Sequence, residues 1–114
     1  MGSTFGRAIA LNDDISGWDV SSVANTEEMF VDTYAFNADI NGWNVSHVTK
    51  MESMFQYAIV FNEDIGGWDV SQVTNMESTF KGATAFNQYV GGWNVSSLQI
   101  PMRIFARVSA TRYW

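Results

Sequence analysis

The sequence contains no cysteine and a single proline, Pro101. Without cysteine the chain cannot form a disulfide framework, a thiol nucleophile, or a cysteine-based zinc or iron–sulfur site. Basic residues are also scarce: the sequence has six lysines and arginines and twelve aspartates and glutamates, so the formal net charge is -6. An acidic chain repels the phosphate backbone, so the composition argues against general nucleic-acid binding.

Long hydrophobic runs are missing as well. No apolar run approaches the roughly 18 to 20 residues that a membrane-spanning helix needs, so we expect no membrane insertion. The opening segment, MGSTFGRAIALNDD, lacks the apolar centre of a secretory signal, and we expect that any export signal lies outside this sequence or does not exist. The 114 residues are 46% hydrophobic and 15% aromatic, which predicts one globular domain.

An internal repeat dominates the sequence. Four tryptophans recur every 25 residues, at Trp18, Trp43, Trp68 and Trp93. The same interval relates rows of identical residues: Phe5, Phe30, Phe55, Phe80 and Phe105; Asn12, Asn37, Asn62 and Asn87; Gly17, Gly42, Gly67 and Gly92; Val20, Val45, Val70 and Val95; Ser21, Ser46, Ser71 and Ser96. A fixed period of this length predicts a stacked array in which each repeat is stable only against its neighbours.

Each repeat is predicted to hold one short helix and one short strand. Thr49 and Glu52 have the spacing of a capping box at a helix start. The apolar residues that follow have the spacing of one helix face, namely Met51, Met54, Phe55 and Ala58. Apolar and polar residues alternate over 68–70, which is typical of a half-buried strand. We therefore expect an α/β repeat fold with a short parallel sheet on one side and short helices on the other.

The predicted organisation is a single domain over residues 1–114 of about four 25-residue turns. Residues 1–10 form an incomplete first turn, and the repeats span 11–35, 36–60, 61–85 and 86–110, of which the last is degenerate. Residues 97–114 contain three arginines and no acidic residue, and we predict that they form a basic C-terminal cap. Solenoid ends need such a cap, because an open end exposes core side chains.

Residues 36–55 and 61–80 carry the string FN-x-DI-x-GW-[DN]-VS-x-V-T-N-M-E-x-M-F, except that Lys50 replaces the asparagine after the threonine and Thr79 replaces the last methionine. It resembles the BspA-like bacterial surface-protein repeat, a relative of leucine-rich repeats, and the likeness extends from Phe5 to Phe105. The resemblance implies a right-handed β/α solenoid of the leucine-rich-repeat kind. It also implies an adhesion or protein-recognition role at the cell surface or in a secreted protein. The family has no shared catalytic residues to carry over.

The favoured functional interpretation is a non-enzymatic module that binds a protein or peptide. The predicted partner-binding face combines an Asp/Asn row with the serine row two residues later: Asp19, Ser21, Asn44, Ser46, Asp69, Ser71, Asn94 and Ser96. The alternative is a calcium- or carbohydrate-binding module that uses the acidic and aromatic rows. A small enzyme is disfavoured, because no histidine recurs beside the serines and no insertion builds a unique pocket. We assign no catalytic residue, cofactor or metal ligand.

Other rows have structural interpretations. The tryptophans are predicted to be core residues rather than a sugar-stacking platform. The asparagine row from Asn12 is expected to satisfy loop backbone groups. A third row, Asp14, Asp39 and Asp64, is expected to be a solvated acidic face, and His47 is expected to be exposed.

The C-terminal end suggests self-association. Four apolar residues, Ile100, Met102, Tyr113 and Trp114, are predicted either to fold over the last turn or to join two chains in a homodimer.

Overall fold

The computed structural model describes residues 12–99. Within this range, residues that are one repeat apart in the sequence are neighbours in space. Lys50 forms isolated parallel bridges with Asn25 on one side and Asn75 on the other. The backbone N–H of Thr74 donates to the carbonyl of Thr49 over 2.8 Å, and that of Gln99 donates to Thr74 over 2.9 Å. The repeats therefore contact one another in register.

The predicted α/β fold class is wrong. Residues 12–99 contain no helix, and their β-structure is limited to the two isolated bridges through Lys50. The architecture is therefore not a right-handed β/α solenoid with a parallel sheet and a helical side. Turns make up most of the assigned backbone structure. The radius of gyration is 12.5 Å, as expected for a compact globule of about 100 residues.

Two consecutive turns replace the helix predicted from Thr49. The N–H of Met54 donates to the carbonyl of Met51 over 3.2 Å, and that of Ala58 donates to Phe55 over 3.0 Å. The third residue of each turn, Ser53 and Tyr57, has a positive φ, of 55° and 59°. This is the feature of a type II turn, and a residue in this region cannot continue a right-handed helix. The same positions have positive φ in the flanking repeats, at Glu28, Asp32, Ser78 and Gly82.

Hydrogen bonds between repeats compete with helix formation. Alternate N–H groups point at the next repeat, with Met51, Ser53, Phe55 and Tyr57 donating to the carbonyls of Asn75, Glu77, Thr79 and Lys81 over 2.7 to 2.9 Å. These donors are therefore not available for bonds to residues four positions earlier. Thr49 does not cap a helix, because both its N–H and its hydroxyl donate to the carbonyl of Ala24.

The predicted strand over 68–70 is also absent. The N–H of Trp68 closes a turn onto the carbonyl of Ile65 over 3.1 Å, and that of Val73 closes another onto Val70 over 3.0 Å. Val70 is nevertheless buried between these turns, while Asp69 is exposed. The alternation of apolar and polar residues therefore reflects burial in a turn-rich segment and not a strand.

The core consists of the apolar rows that the repeat predicted. Met51, Met54, Phe55 and Ala58 are fully buried although they lie on turns. Two columns of phenylalanine rings run through the repeats. Phe55 stacks on Phe30 and Phe80 with centroids 5.7 and 5.6 Å apart. The second column contains Phe36, Phe61 and Phe86, and the two columns touch where one repeat ends and the next begins, as where Phe55 and Phe61 lie 4.3 Å apart.

Tryptophans close the core beside these columns. Trp43, Trp68 and Trp93 are 4 to 6% exposed. Their indole Nε1 groups donate to the carbonyls of Ile15, Ile40 and Ile65 in the preceding repeat, over 3.0 to 3.1 Å. The prediction that the tryptophans are core residues is confirmed for these three, whereas Trp18 is 42% exposed. Each buried indole thus joins two repeats through packing and a hydrogen bond.

Replacing Trp68 by alanine should lower the free energy of unfolding by about 3 to 5 kcal/mol, because it leaves a cavity and removes one of the two hydrogen bonds that the Ile40 carbonyl accepts. Urea denaturation followed by circular dichroism measures the change. Tyr89, whose side chain is 71% exposed, provides the control, since Tyr89→Ala should change stability little. Equal losses of unfolding free energy in the two variants would contradict the conclusion that the buried indole joins two repeats.

Replacing Gly82 by any other residue should destabilise the protein, because its φ is +71° and a Cβ there would overlap the ring of Tyr57. Gly82→Ala should cost at least about 1 kcal/mol of unfolding free energy, since alanine is disfavoured at this φ and the ring must also move. Gly67→Ala is the matched control, because a Cβ at Gly67 meets nothing within 4 Å. A thermal melt in which both variants match the parent chain would contradict this description of the turn.

Candidate functional site

The predicted partner-binding residues form one local motif. In the third repeat, Oδ1 of Asp69 accepts the N–H of Ser71 over 3.0 Å and its hydroxyl over 2.6 Å. Asp19 holds Ser21 with the same distances. The Asp or Asn side chain imitates a backbone turn, which is why these residues favour turns. We call the surface formed by Asp19, Ser21, Asn44, Ser46, Asp69, Ser71, Asn94 and Ser96 the Asx–Ser face.

The motif is present in all four repeats. Oδ1 of Asn44 accepts both the N–H and the hydroxyl of Ser46, over 3.1 and 2.7 Å. Asn94 accepts the N–H of Ser96 over 3.1 Å. The aspartates and asparagines of the face are exposed, and the serines are half-buried or exposed. Since the backbone just beyond the face is hydrogen-bonded from repeat to repeat, the structure places the predicted residues in four equivalent, connected turns.

The serine hydrogen bonds favour the ionised carboxylates. The hydroxyl of Ser71, and secondly its N–H, lower the pKa of Asp69 below its ordinary value of 3.8. Ser21 lowers the pKa of Asp19 in the same way, because a carboxylate is stabilised by the bonds that it accepts. Both groups are therefore charged at neutral pH.

The surroundings of the face are also acidic. All twelve acidic residues of the chain lie between positions 12 and 99, where the basic residues are Lys50 and Lys81, so this range carries a formal charge of -10 with His47 neutral.

His47 lies next to the face and is exposed, as predicted. Its Nδ1 is 3.0 Å from the carbonyl oxygen of Ser21 in the preceding repeat. A carbonyl oxygen can only accept, so Nδ1 carries the hydrogen and Nε2 is the acceptor of the neutral ring. The contact joins the first two repeats at this surface.

The asparagine row has the structural role that was predicted. Oδ1 of Asn12 accepts the N–H of Asn37, that of Asn37 accepts the N–H of Asn62, and that of Asn62 accepts the N–H of Asn87, over 2.8 to 2.9 Å. Each of these asparagine side chains therefore accepts a hydrogen bond from a backbone N–H of the following repeat.

The row of Asp14, Asp39 and Asp64 lies two residues beyond this ladder in each repeat. Oδ1 of Asp14, Asp39 and Asp64 each accepts the N–H of the residue two positions later, over 3.0 Å. An open cleft of about 380 Å³ lies between Asn12, Asp14 and Ser16 of one repeat and Asn37, Ala38 and Asp39 of the next. Across residues 12–99, no three His, Asp or Glu side chains come together as a metal site would require.

The carbohydrate alternative loses its main support in the tryptophan row. A sugar platform needs an exposed indole face, whereas Trp43, Trp68 and Trp93 are buried and their Nε1 groups are bonded to backbone. Only Trp18 of this row presents a large exposed area.

One family model matches the chain. Its description is "Mycoplasma protein of unknown function, DUF285", and it matches residues 1–113. The chain belongs to the DUF285 family. No curated protein and no solved structure matches the chain. The family match covers every repeat and assigns no activity, and the likeness to BspA-like repeats stays a hypothesis beside it.

The structure of this DUF285 chain shows exposed apolar residues that the sequence interpretation missed. Tyr34, Ile59 and Val60 are 45%, 41% and 42% exposed. A signal was present, because Tyr34 and Ile59 are 25 residues apart and belong to none of the predicted core rows. The predicted self-association residues Ile100, Met102, Tyr113 and Trp114 lie outside the described residues, as does the basic segment beyond position 99. No helix in the described range could cross a membrane.

Ser71→Ala should raise the pKa of Asp69 toward 3.8, because the hydroxyl bond is the largest cause of the lowered value. A lowered folded-state pKa contributes stability above the unfolded-state pKa, and this contribution is lost as the pH falls through the folded-state pKa. The variant should therefore lose the part of its acid-dependent stability that Asp69 supplies. Carboxyl chemical shifts followed through an acid titration measure the effect. Ser46→Ala is the control, because it removes a bond to the uncharged Asn44 and should leave the pKa of Asp69 unchanged.

Proposed function

We propose that this chain is a non-enzymatic repeat module that binds a protein or peptide at the Asx–Ser face. The observation that carries the proposal is the presence of the same exposed turn in each repeat, with Asp19, Asn44, Asp69 and Asn94 at equivalent positions. A surface with one equivalent acceptor per repeat suits an extended partner, because neighbouring turns can bind neighbouring residues of that partner.

The face is organised before a partner binds. Oδ1 of Asp69 is held by two bonds to Ser71, so its second carboxylate oxygen has a fixed position relative to the turn. Binding to a fixed side chain costs less conformational entropy than binding to a free one.

Charge indicates the kind of partner. Asp19 and Asp69 are ionised, and the described range carries ten more negative than positive charges. A partner segment with lysine or arginine side chains is therefore attracted, and an acidic one is repelled. The resemblance to BspA-like repeats adds the expectation of an adhesion role at the cell surface or outside the cell.

A fluorescein-labelled oligolysine peptide tests the proposal. Fluorescence anisotropy should show binding that weakens with salt, whereas an oligoglutamate peptide of equal length should not bind. Asp19→Asn combined with Asp69→Asn should weaken oligolysine binding by about 2- to 30-fold, because the variant removes two exposed charge pairs, each of which contributes little. The fold should be kept, because Asn44 and Asn94 already occupy this motif with asparagine.

The matched control removes two charges elsewhere. Asp13→Asn combined with Glu63→Gln changes the net charge by the same amount outside the Asx–Ser face. This variant should bind the oligolysine peptide nearly as well as the parent chain. Equal weakening in the two double variants would mean that only the net charge matters, and it would contradict binding at the face.

A further inference from the structure

The turn between Ile40 and Trp43 differs chemically from its three counterparts. It contains Asn41 followed by Gly42, whereas the other repeats have Ser-Gly or Gly-Gly at this place. Asn41 is the only asparagine of the sequence that precedes a glycine. The N–H of Trp43 closes the turn onto the carbonyl of Ile40 over 3.1 Å, so Asn41 and Gly42 are its two central residues. Both are exposed.

We propose that Asn41 is a site of spontaneous deamidation. The backbone nitrogen of Gly42 attacks Cγ of Asn41, so that an N–Cγ bond forms and the Cγ–Nδ2 bond breaks. Ammonia leaves with the proton that Gly42 nitrogen gives up, and a cyclic succinimide remains. One water molecule then opens the ring at either carbonyl, which gives aspartate or isoaspartate. The sequence of steps needs water alone as a co-reactant.

The surroundings of the reacting atoms favour this reaction. The Asn41 side chain and the Gly42 N–H make no hydrogen bond within residues 12–99, and a Cβ at Gly42 would meet nothing within 4 Å. No hydrogen bond in the described range therefore holds this nitrogen or the side-chain amide in place against the reaction. Other asparagines are held differently, since Oδ1 of Asn37 and Oδ1 of Asn44 accept backbone N–H groups.

The product would disturb the core as well as the surface. Isoaspartate adds one carbon to the main chain between residues 41 and 42, which changes the spacing of Ile40 and Trp43 across the turn. The Ile40 carbonyl also accepts the indole Nε1 of Trp68 over 3.1 Å. A new carboxylate would in addition lie two residues from Asp39, whose Oδ1 accepts the N–H of Asn41 over 3.0 Å. Deamidation should therefore lower stability.

The experiment incubates the folded full chain at mildly alkaline pH and follows its mass. The expected result is a gain of about 1 Da per chain, mapped to Asn41 by peptide mass spectrometry. Isoaspartate should be detected by methyl transfer from labelled S-adenosylmethionine with an isoaspartyl methyltransferase. Asn41→Ser, which copies the residue of the first repeat at Ser16, should abolish both signals.

Two further measurements separate this site from general chemical ageing. Gly42→Ala keeps Asn41 and should slow the reaction by at least about tenfold, because the new side chain hinders the nitrogen. Modification at Asn44 or Asn37 at the rate seen for Asn41 would overturn the proposal. So would a chain that reacts at Asn41 in denaturant and stays unmodified when folded, because the folded turn would then protect the amide.

Discussion

The structure depends on backbone hydrogen bonds between equivalent segments of successive repeats. In the second repeat, alternate N–H groups from Met51 to Tyr57 donate to carbonyls of the third repeat, and Thr26 to Asp32 donate to the second in the same way. These bonds fix the register at one repeat. Register in turn brings Phe55 onto Phe30 and Phe80 at about 5.6 to 5.7 Å. Without these bonds, nothing in the backbone would align equivalent side chains of successive repeats.

This use of the backbone explains why no helix forms in residues 12–99. A helix bonds every N–H within its own segment, whereas here every second one serves the neighbouring repeat and the others close turns. The chain accepts positive φ at Glu28, Ser53 and Ser78, and each such residue costs about 1 to 2 kcal/mol relative to the right-handed region. Burial of the aromatic columns against one another offsets this cost, since each large side chain contributes about 1.5 to 3 kcal/mol.

The sequence predicted which residues form the core but not the backbone that presents them. Met51, Met54, Phe55 and Ala58 are buried in the predicted manner, because turns closed between residues three apart place these positions inward as a helix would. The distinguishing feature is φ at Ser53 and Tyr57, and neither residue type signals a left-handed conformation. Gly82 is the one glycine at these positions in the described residues, and a glycine is equally typical of the end of a short helix. The bonds within the Asx–Ser face join residues two apart and so depend on local sequence alone, although the prediction named the residues of the face and not these bonds.

On the Asx–Ser face, the geometry of each turn does not depend on whether its Asp/Asn position is charged. Asp69 and Asn44 hold their serines with nearly identical distances, so the turn needs the Oδ1 acceptor and not the negative charge. Val45 and Val70 are buried behind the face as part of the core. Their packing does not depend on whether the second terminal atom of the Asp or Asn side chain is oxygen or nitrogen. An Asp or Asn can therefore stand in each repeat without a change in backbone. The number of carboxylates on the face can therefore vary without a change in the fold.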